Sequence, residues 1–505
     1  MSRIVFENQQ PVADFDPGRA DVACFVGLVR ATGASLPQNL QDWLQAQGWL
    51  DGPFARPLDQ LADVPIPIET WPGFTTLFDP GGSGSSFGTD YLAAAVRTFF
   101  AQGGKRCYVV RMDNPLAPSD DAAAKLAKLL PDLSQQAGDR KSWHGVAHLG
   151  GLPDASFLLL PDLPALLASQ APGVLGEVPS APSAPEQFVE CSQADLTAQQ
   201  FRVFAAPAPR LAVADYAEWA HAIRTILQFL SNGSFREVQF VAAMPLPQDA
   251  NPDIQDVMAT QFREVTGLIG SISSAFLQLS YPWLKTSGSH VLLESLEPPD
   301  GALAGILARN ALTRGTFTSA VKVTPAEIFD VWPRLPAEET RVPTNVPVWD
   351  NHSIKPLIER LSLFGFTPSG LRLLSDVTTY PGEDYRPARV NRLVAVVSRA
   401  ARRLGEEIVF DNNGPRLWAR VRSSLQQLMT RLWRLNALEG ASVREAFSVL
   451  CDRSSMSQND LDNGRLIAQV SFTAAATIEL IHVTLALSTS GASAQAIAAA
   501  LTEAA

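Results

Sequence analysis

Between residues 417 and 435 the chain repeats apolar residues at steps of four and three: Leu417, Val421, Leu425, Leu428, Leu432 and Leu435. This spacing is one face of an α-helix, and a strand over the same stretch would scatter it to both faces. Arg416, Arg420, Arg431 and Arg434 fall together on one flank of the stripe. A basic helix precedes it and two apolar strands come after, so the C-terminal quarter reads helix, helix, strand, strand. From Arg386 to Arg434 there are eleven Arg against three acids (Glu406, Glu407, Asp411), inside a chain of net charge −11. One helix face is buried and cations lie beside it.

The whole chain, 505 residues, exceeds what one core organises, so several domains are expected. Hydrophobic content of 46% and charged content of 18% describe an ordered protein with a large core. An acidic balance argues against nucleic acid as a partner, because phosphate binding needs excess cations. The basic stretch is then expected to meet an acidic protein surface. Cys24, Cys107, Cys191 and Cys451 are far apart, which reads as free thiols in a reducing compartment. Residues 1–11 lack a signal-peptide pattern, and Gln469, Glu479 and His482 interrupt the apolar segment 466–487. The expectation is synthesis in the cytoplasm without membrane insertion.

Residues 1–20 read as an extended arm. An apolar strand is expected at 22–29 and an amphipathic helix at 36–50. A Gly/Ser loop at 81–88 leads into a helix from Asp90 to Gln102, stopped by Gly103-Gly104 before a buried strand at 107–110. Helix followed by buried strand is α/β construction. The pattern weakens over 115–209, where a helix at 122–130 and a strand at 156–160 remain legible. The Pro/Ser/Ala segment 172–185 is a surface loop or linker by composition. Helices at 213–230, 253–265 and 302–310, a strand at 238–243 and an apolar segment at 275–284 complete this part. The fold class is α/β with α+β character in a multi-domain chain. The divisions are an arm (1–20), a first core part (21–114), an outer insertion (115–205), a middle domain (206–345), a C-terminal domain (346–488) and an Ala-rich tail (489–505), read as a short helix.

Few constellations carry chemistry. Gly84-Ser85-Ser86-Phe87-Gly88 fits the G-x-S-x-G nucleophile elbow, which makes a serine hydrolase built on Ser86 the alternative of another class. The elbow needs a strand before it, and Phe78-Asp79-Pro80-Gly81-Gly82 is a turn sequence, so a loop entering a helix is the simpler reading. The loop has neither a dinucleotide fingerprint nor a phosphate-loop Lys. His144 and His148 stand at metal-binding spacing, but lack the Glu of H-E-x-x-H and a nearby Cys; a surface or hydrogen-bonded pair is favoured. Asp460 and Asp462, like Asp253 and Asp256, suit helix N-termini and loops. No catalytic residue, metal site or cofactor is assigned.

Several runs together resemble the sheath proteins of contractile phage tails and related contractile injection systems. Ala95-Val96-Arg97-Thr98-Phe99-Phe100-Ala101-Gln102-Gly103-Gly104 followed by Cys107-Tyr108-Val109-Val110-Arg111 is similar to a family segment, as is Pro298-Pro299-Asp300-Gly301 with Ala304-Gly305 and Arg314-Gly315. The longest likeness is C-terminal: Ile408-Val409-Phe410-Asp411-Asn412-Asn413, Leu417-Trp418, Ala437-Leu438-Glu439-Gly440, Glu445-Ala446-Phe447, Cys451-Asp452 and Asp462-Asn463-Gly464-Arg465-Leu466, in the family's order. It departs at Ala474-Ala475-Ala476-Thr477, where the family often has a P-A-E-F-like turn, and at the weakened run Gly370-Leu371-Arg372-Leu373-Leu374-Ser375.

The resemblance implies a non-enzymatic structural subunit. Copies would stack as a helical homopolymer around an inner tube and contract to drive it through a target envelope, with baseplate proteins, terminal cap proteins and sheath paralogues as further partners. A phage-tail-like injection particle, released or membrane-anchored, is favoured over a true phage tail. The tube-facing candidates are Arg416, Arg420, Arg431 and Arg434, then Arg399, Arg402 and Arg403 with Arg389 and Arg392. Strand exchange between neighbours would use Val5 and Phe6 of the arm and Val470, Phe472, Ile478, Leu480, Ile481, Val483 and Leu485 of the terminal strands. A hairpin closed within one chain is the plainer reading of those strands.

Overall fold

The computed structural model describes residues 20–51, 53–56, 60–80, 88–169, 207–212, 214–232, 235–248, 272–336, 340, 357–408, 411–463, 465–475, 480–488 and 495–498. The chain divides into two compact units: 22–309 with 320–388, and 1–21 with 310–319 and 389–505.

The larger unit is built on eight strands: β1 (Val22–Leu28), β2 (Pro65–Ile68), β3 (Cys107–Asp113), β4 (Ala155–Leu159), β5 (Gln239–Ala243), β6 (Leu277–Tyr281), β7 (Ser362–Thr367) and β8 (Gly370–Leu373). Their order is β8-β7-β6-β5-β4-β1-β3-β2. Every pair from β7 to β3 is parallel, and the two edge strands pair antiparallel. β1 shows why such strands read as unbroken apolar runs. All seven of its residues are buried; Val22, Cys24, Val26 and Leu28 enter one core, and Ala23 and Phe25 enter the other. The edge strand β2 reads Pro-Ile-Pro-Ile, with two residues that lack an N–H to offer beyond the sheet.

Three helices supply much of the two cores: α1 (Tyr91–Ala101), α2 (Asp215–Asn232) and α3 (Asp300–Thr313). α2 supplies Tyr216, Trp219, Ile223 and Ile226 to the core on one side of the sheet. Leu303, Ile306 and Leu307 of α3 join Leu92, Val96 and Phe99 of α1 in the other. Most expected helices and strands of this unit stand within about two or three residues of their sequence bounds, but the helix expected at 36–50 ends at Ala46 and the apolar segment 275–284 divides into strands Leu277–Tyr281 and Trp283–Thr286. The helix expected at 253–265 lies outside the described residues.

Two of the expected divisions are corrected. The 115–205 segment is not wholly an outer insertion, because its strand β4 pairs with β1 and β5 in the middle of the sheet. Its Pro-rich part lies outside the described residues. Residues 362–373 do not start the C-terminal domain; β7 extends the parallel sheet through β6, and β8 closes its edge. An isolated strand pattern carries no information about which sheet completes it.

The smaller unit contains α4 (Ala388–Ile408), α5 (Pro415–Arg434), the short α6 (Gln458–Asp462) and an antiparallel sheet. Its strands are β9 (Phe447–Leu450), β10 (Arg465–Thr473), β11 (Leu480–Ser488) and β12 (Gln495–Ala498), in that spatial order. Leu466, Ala468, Val470 and Phe472 alternate inward along β10, the period of two that a one-sided sheet requires. β12 corrects the expected Ala-rich helix: it pairs with residues 483–486 of β11. Ala favours a helix on propensity alone, but the unpaired edge of β11 offers a ladder of backbone partners that overrides it.

Candidate interaction surfaces of the C-terminal unit

α5 buries Leu417, Val421, Leu425, Met429 and Leu432. Met429 replaces two expected members of the stripe. Leu428 is only half-buried, and Leu435 lies past the last helical residue with 53% of its surface exposed. The helix has a Pro at its first position, where the missing N–H costs nothing. Trp418 Nε1–H donates to Asn413 Oδ1 (2.7 Å) and Trp433 Nε1–H to the Gly440 carbonyl (3.0 Å), tying both ends to their flanking loops.

The Arg flank of α5 is exposed. Arg416, Arg420, Arg431 and Arg434 all stand on the solvent side. Arg420 forms an ion pair with Asp411, one of the three acids in the basic stretch. Both members are about half exposed, so the pair is screened by water and contributes little to stability.

α4 behaves differently, and here the set of tube-facing candidates is corrected. Every residue from Val390 to Arg399 is buried, so the first part of this basic helix has no solvent face. Arg399 is 1% exposed and Arg392 4%. Arg392 Nε–H donates to the Thr316 carbonyl (3.2 Å), within the same unit. Both side chains are therefore withdrawn from solvent in the single chain, and Arg399 leaves the set of surface candidates. Arg402 and Arg403 are half-buried, with Arg403 near Glu407 (3.6 Å). Between α4 and α5 lies an open groove of about 300 Å³, lined by Ala400, Leu404, Leu425 and Leu428 with Arg403 and Glu407 at its margin.

The strand-exchange candidates divide similarly. β10 and β11 pair over nine residues within the chain, with Phe472 opposite Ile481, Val470 opposite Val483 and Ala468 opposite Leu485. Val470 and Phe472 are fully buried and Val483 nearly so. Leu480 begins β11, opposite Thr473. The plainer reading, a hairpin closed within one chain, is what this single copy contains. Val5, Phe6 and Ile478 lie outside the described residues.

The chemical candidates of the larger unit resolve more simply. Ser86 and its loop fall outside the described residues. His148 is fully buried in a 3₁₀ turn, its Nε2 2.8 Å from Asp63 Oδ1. Asp63 also accepts from Gly145 N–H (3.1 Å) and pairs with Arg56 (3.5 Å). The two His do not converge, and no group of three potential ligands is present among the described residues. Asp460 forms a capping box with Ser457 at the start of α6. Cys24, Cys107 and Cys451 are buried free thiols, and burial pushes Cys451 up to about 11; Cys191 lies outside the described residues. No helix among the described residues is long and apolar enough to cross a membrane. Sequence reasoning did not single out the buried acids Asp162, Glu297 and Asp300, since an acid's burial leaves no periodic signature.

Comparison with known proteins gives the class to which this geometry belongs. Residues 381–488, which span both long helices and the first three strands of the small sheet, match the phage tail sheath C-terminal domain. Comparison with curated protein sequences gave no match. Among solved structures, a chain of the anti-feeding prophage baseplate is similar over 90% of both chains, with 17% identity and a TM-score of 0.55. The sheath complex of an extracellular contractile injection system, PVC, in its contracted state is 16% identical over 90% of this chain and 88% of that one, with a TM-score of 0.53. The helical sheath of the anti-feeding prophage, also contracted, is 18% identical over 91% of both, with a TM-score of 0.53. Residues 381–488 are thus similar to the phage tail sheath C-terminal domain. The chain's fold as a whole is the one shared with these contractile-particle chains.

Proposed function

We propose that this chain is a structural, non-enzymatic subunit of a contractile sheath. It polymerises helically around an inner tube and contracts to drive that tube through a target envelope. The observation that carries this reading is the sheath C-terminal domain at 381–488, set in a chain whose fold matches sheath-particle chains over about nine-tenths of both lengths. The similar structures belong to injection particles, which favours that subtype; the phage-tail reading rests on the matched domain family. Nothing favours the hydrolase alternative.

Electron microscopy of the chain co-expressed with its cognate tube protein tests the proposal. Helical sleeves of two lengths, long and contracted, are the expected outcome; a monomer that stays dispersed beside bare tubes would overturn it.

The partners derive from the same reading. The exposed flank Arg416, Arg420, Arg431 and Arg434 meets acidic residues of the tube, through contacts weak enough to release on contraction. The particle is completed by baseplate and cap proteins, and by sheath paralogues where its system encodes them. Strand exchange through the N-terminal arm and terminal strands links neighbouring copies by β-augmentation. In the isolated chain β12 occupies one edge of the small sheet, so exchange at that edge requires β12 to detach from its own β11.

A further inference from the structure

α1 and α3 pack with their backbones almost touching. A Cβ on Gly301 would lie 2.4 Å from the Ala95 carbonyl oxygen, and one on Gly305 2.5 Å from that of Phe99. A Cβ on Gly103 would meet the Arg309 side chain at 3.0 Å. The partners advance together by four residues, 95 to 99 to 103 against 301 to 305 to 309, so the helices run parallel. Parallel packing brings two N-terminal ends to the same side, each carrying about half a positive charge.

Two buried acids, Asp162 and Asp300, stand at that end, and a third, Glu297, bonds further along α1. Asp162, just beyond β4, accepts from the backbone N–H of Leu28 (2.7 Å) at the end of β1 and from that of Leu92 in the first turn of α1. Asp300 opens α3 and accepts from Gly301 N–H (2.9 Å). Glu297, three residues earlier, accepts from Thr98 Oγ1 of α1 (2.6 Å) and Thr286 Oγ1 (3.1 Å). All three are at most 1% exposed. Asp162 Oδ1, Asp300 Oδ2 and the Tyr91 hydroxyl are buried without a hydrogen-bond partner among the described residues, and Tyr91 lies within the field of Asp162, Asp90 and Glu294. Arg97 faces Glu297 and opposes the rise that burial causes there, but it is shared with other partners. Arg97 donates to Ser287 and lies 4.0 Å from Glu327, and Arg210 holds Glu294 (2.9 Å).

We propose that Asp162, Glu297 and Asp300 form a proton-bearing latch on the parallel helix pair, closed while the cluster retains its protons and loosened when it loses them. Two half-charges from the helix ends are offset by part of the acid charge, and further ionisation leaves buried, mutually repelling carboxylates. Burial pushes Asp162 and Glu297 up to about 8 and Asp300 up to about 7. These folded values exceed those of an unfolded chain, so the stabilisation is complete below about pH 4 and is lost as pH rises through about 7 to 8. The latch is a property of this unit and stands independently of the sheath assignment.

The test uses the purified full-length chain. Its urea midpoint, monitored by circular dichroism from about pH 5 to about pH 9, should fall steadily up to about pH 8 and level off above it, where the three acids are ionised in the folded chain as well. In the double variant Glu297→Gln/Asp300→Asn that fall should shrink to less than about half, since two of three titrating groups are gone. A wild-type midpoint that is flat between about pH 5 and about pH 7, or a variant with the wild-type slope over that interval, overturns the proposal. Difference infrared spectroscopy of the wild type provides a readout that needs no variant. A protonated-carboxyl band should be present at about pH 6 and absent at about pH 9, and its absence at the lower pH is equally fatal.

Discussion

At the scale of single residues, chemistry-bearing side chains in this protein serve packing. His148 is the clearest case: its Nε2 meets Asp63, and the rings of Trp49 and Trp143 stand edge-on to it at 5.3 and 6.4 Å between centroids. His148→Ala should lower stability by about 1–3 kcal/mol, because Asp63 then loses a partner in a half-buried site. A urea midpoint within error of wild type would show that the pair is dispensable. Gly305 matters in the opposite way, through what cannot be added. Gly305→Val should cost about 1–3 kcal/mol or more, since the new side chain meets the backbone of Phe99, which has no freedom to move aside. The i, i+4 spacing of Gly301 and Gly305 was visible in the sequence. Its meaning was not, because the sequence does not say which surface approaches it.

At the scale of elements, the C-terminal stripe separates what periodicity resolves from what it leaves open. Six apolar residues at helical spacing identified α5 and its buried face, yet Met429 holds the inner position that Leu428 and Leu435 do not. Met429→Ala should cost about 2–5 kcal/mol through the cavity it leaves. Leu435→Ala should stay within about 0.5 kcal/mol, as expected of an exposed residue. Thermal or urea melts of the two variants side by side would reverse the assignment if the Leu435 change proved the costlier. α4 fails the same reading for a physical reason: Arg at helical spacing signals a solvent face only if no neighbouring element covers it, and Arg392 and Arg399 are covered. β12 fails for another, since Ala-rich segments have no apolar bulk to fix their face and take the hydrogen-bond partners available.

At the scale of the whole molecule, the proposed function would rest on surfaces that meet other copies and other chains. The exposed Arg flank of α5 is the most specific of these. Arg420→Glu/Arg431→Glu should leave the melting midpoint nearly unchanged, because Arg420's ion pair with Asp411 is exposed and weak. The same double variant should reduce co-sedimentation with the tube protein severalfold, and an undiminished yield of sheathed tubes would remove α5 from the tube contact. Raising salt should weaken wild-type attachment in the same direction, as screened surface charges require.

The sequence alone determined the most periodic elements and pointed to the class. Apolar period, glycine stops and the order of short motifs from Ala95 to Leu466 are local quantities, and they identified α1, α5, β1, β3 and the sheath-like C-terminal region. Tertiary structure decided which strands share a sheet, which Arg residues reach solvent, and where acids are buried. It placed β4 at the sheet centre, covered Arg399 and buried Asp162, Glu297 and Asp300 beside two parallel helices. These are contacts between residues distant in sequence, and burial is set by the neighbour that arrives. The Leu417-to-Leu432 stripe was legible because a helix carries its own period; its partners belong to the fold.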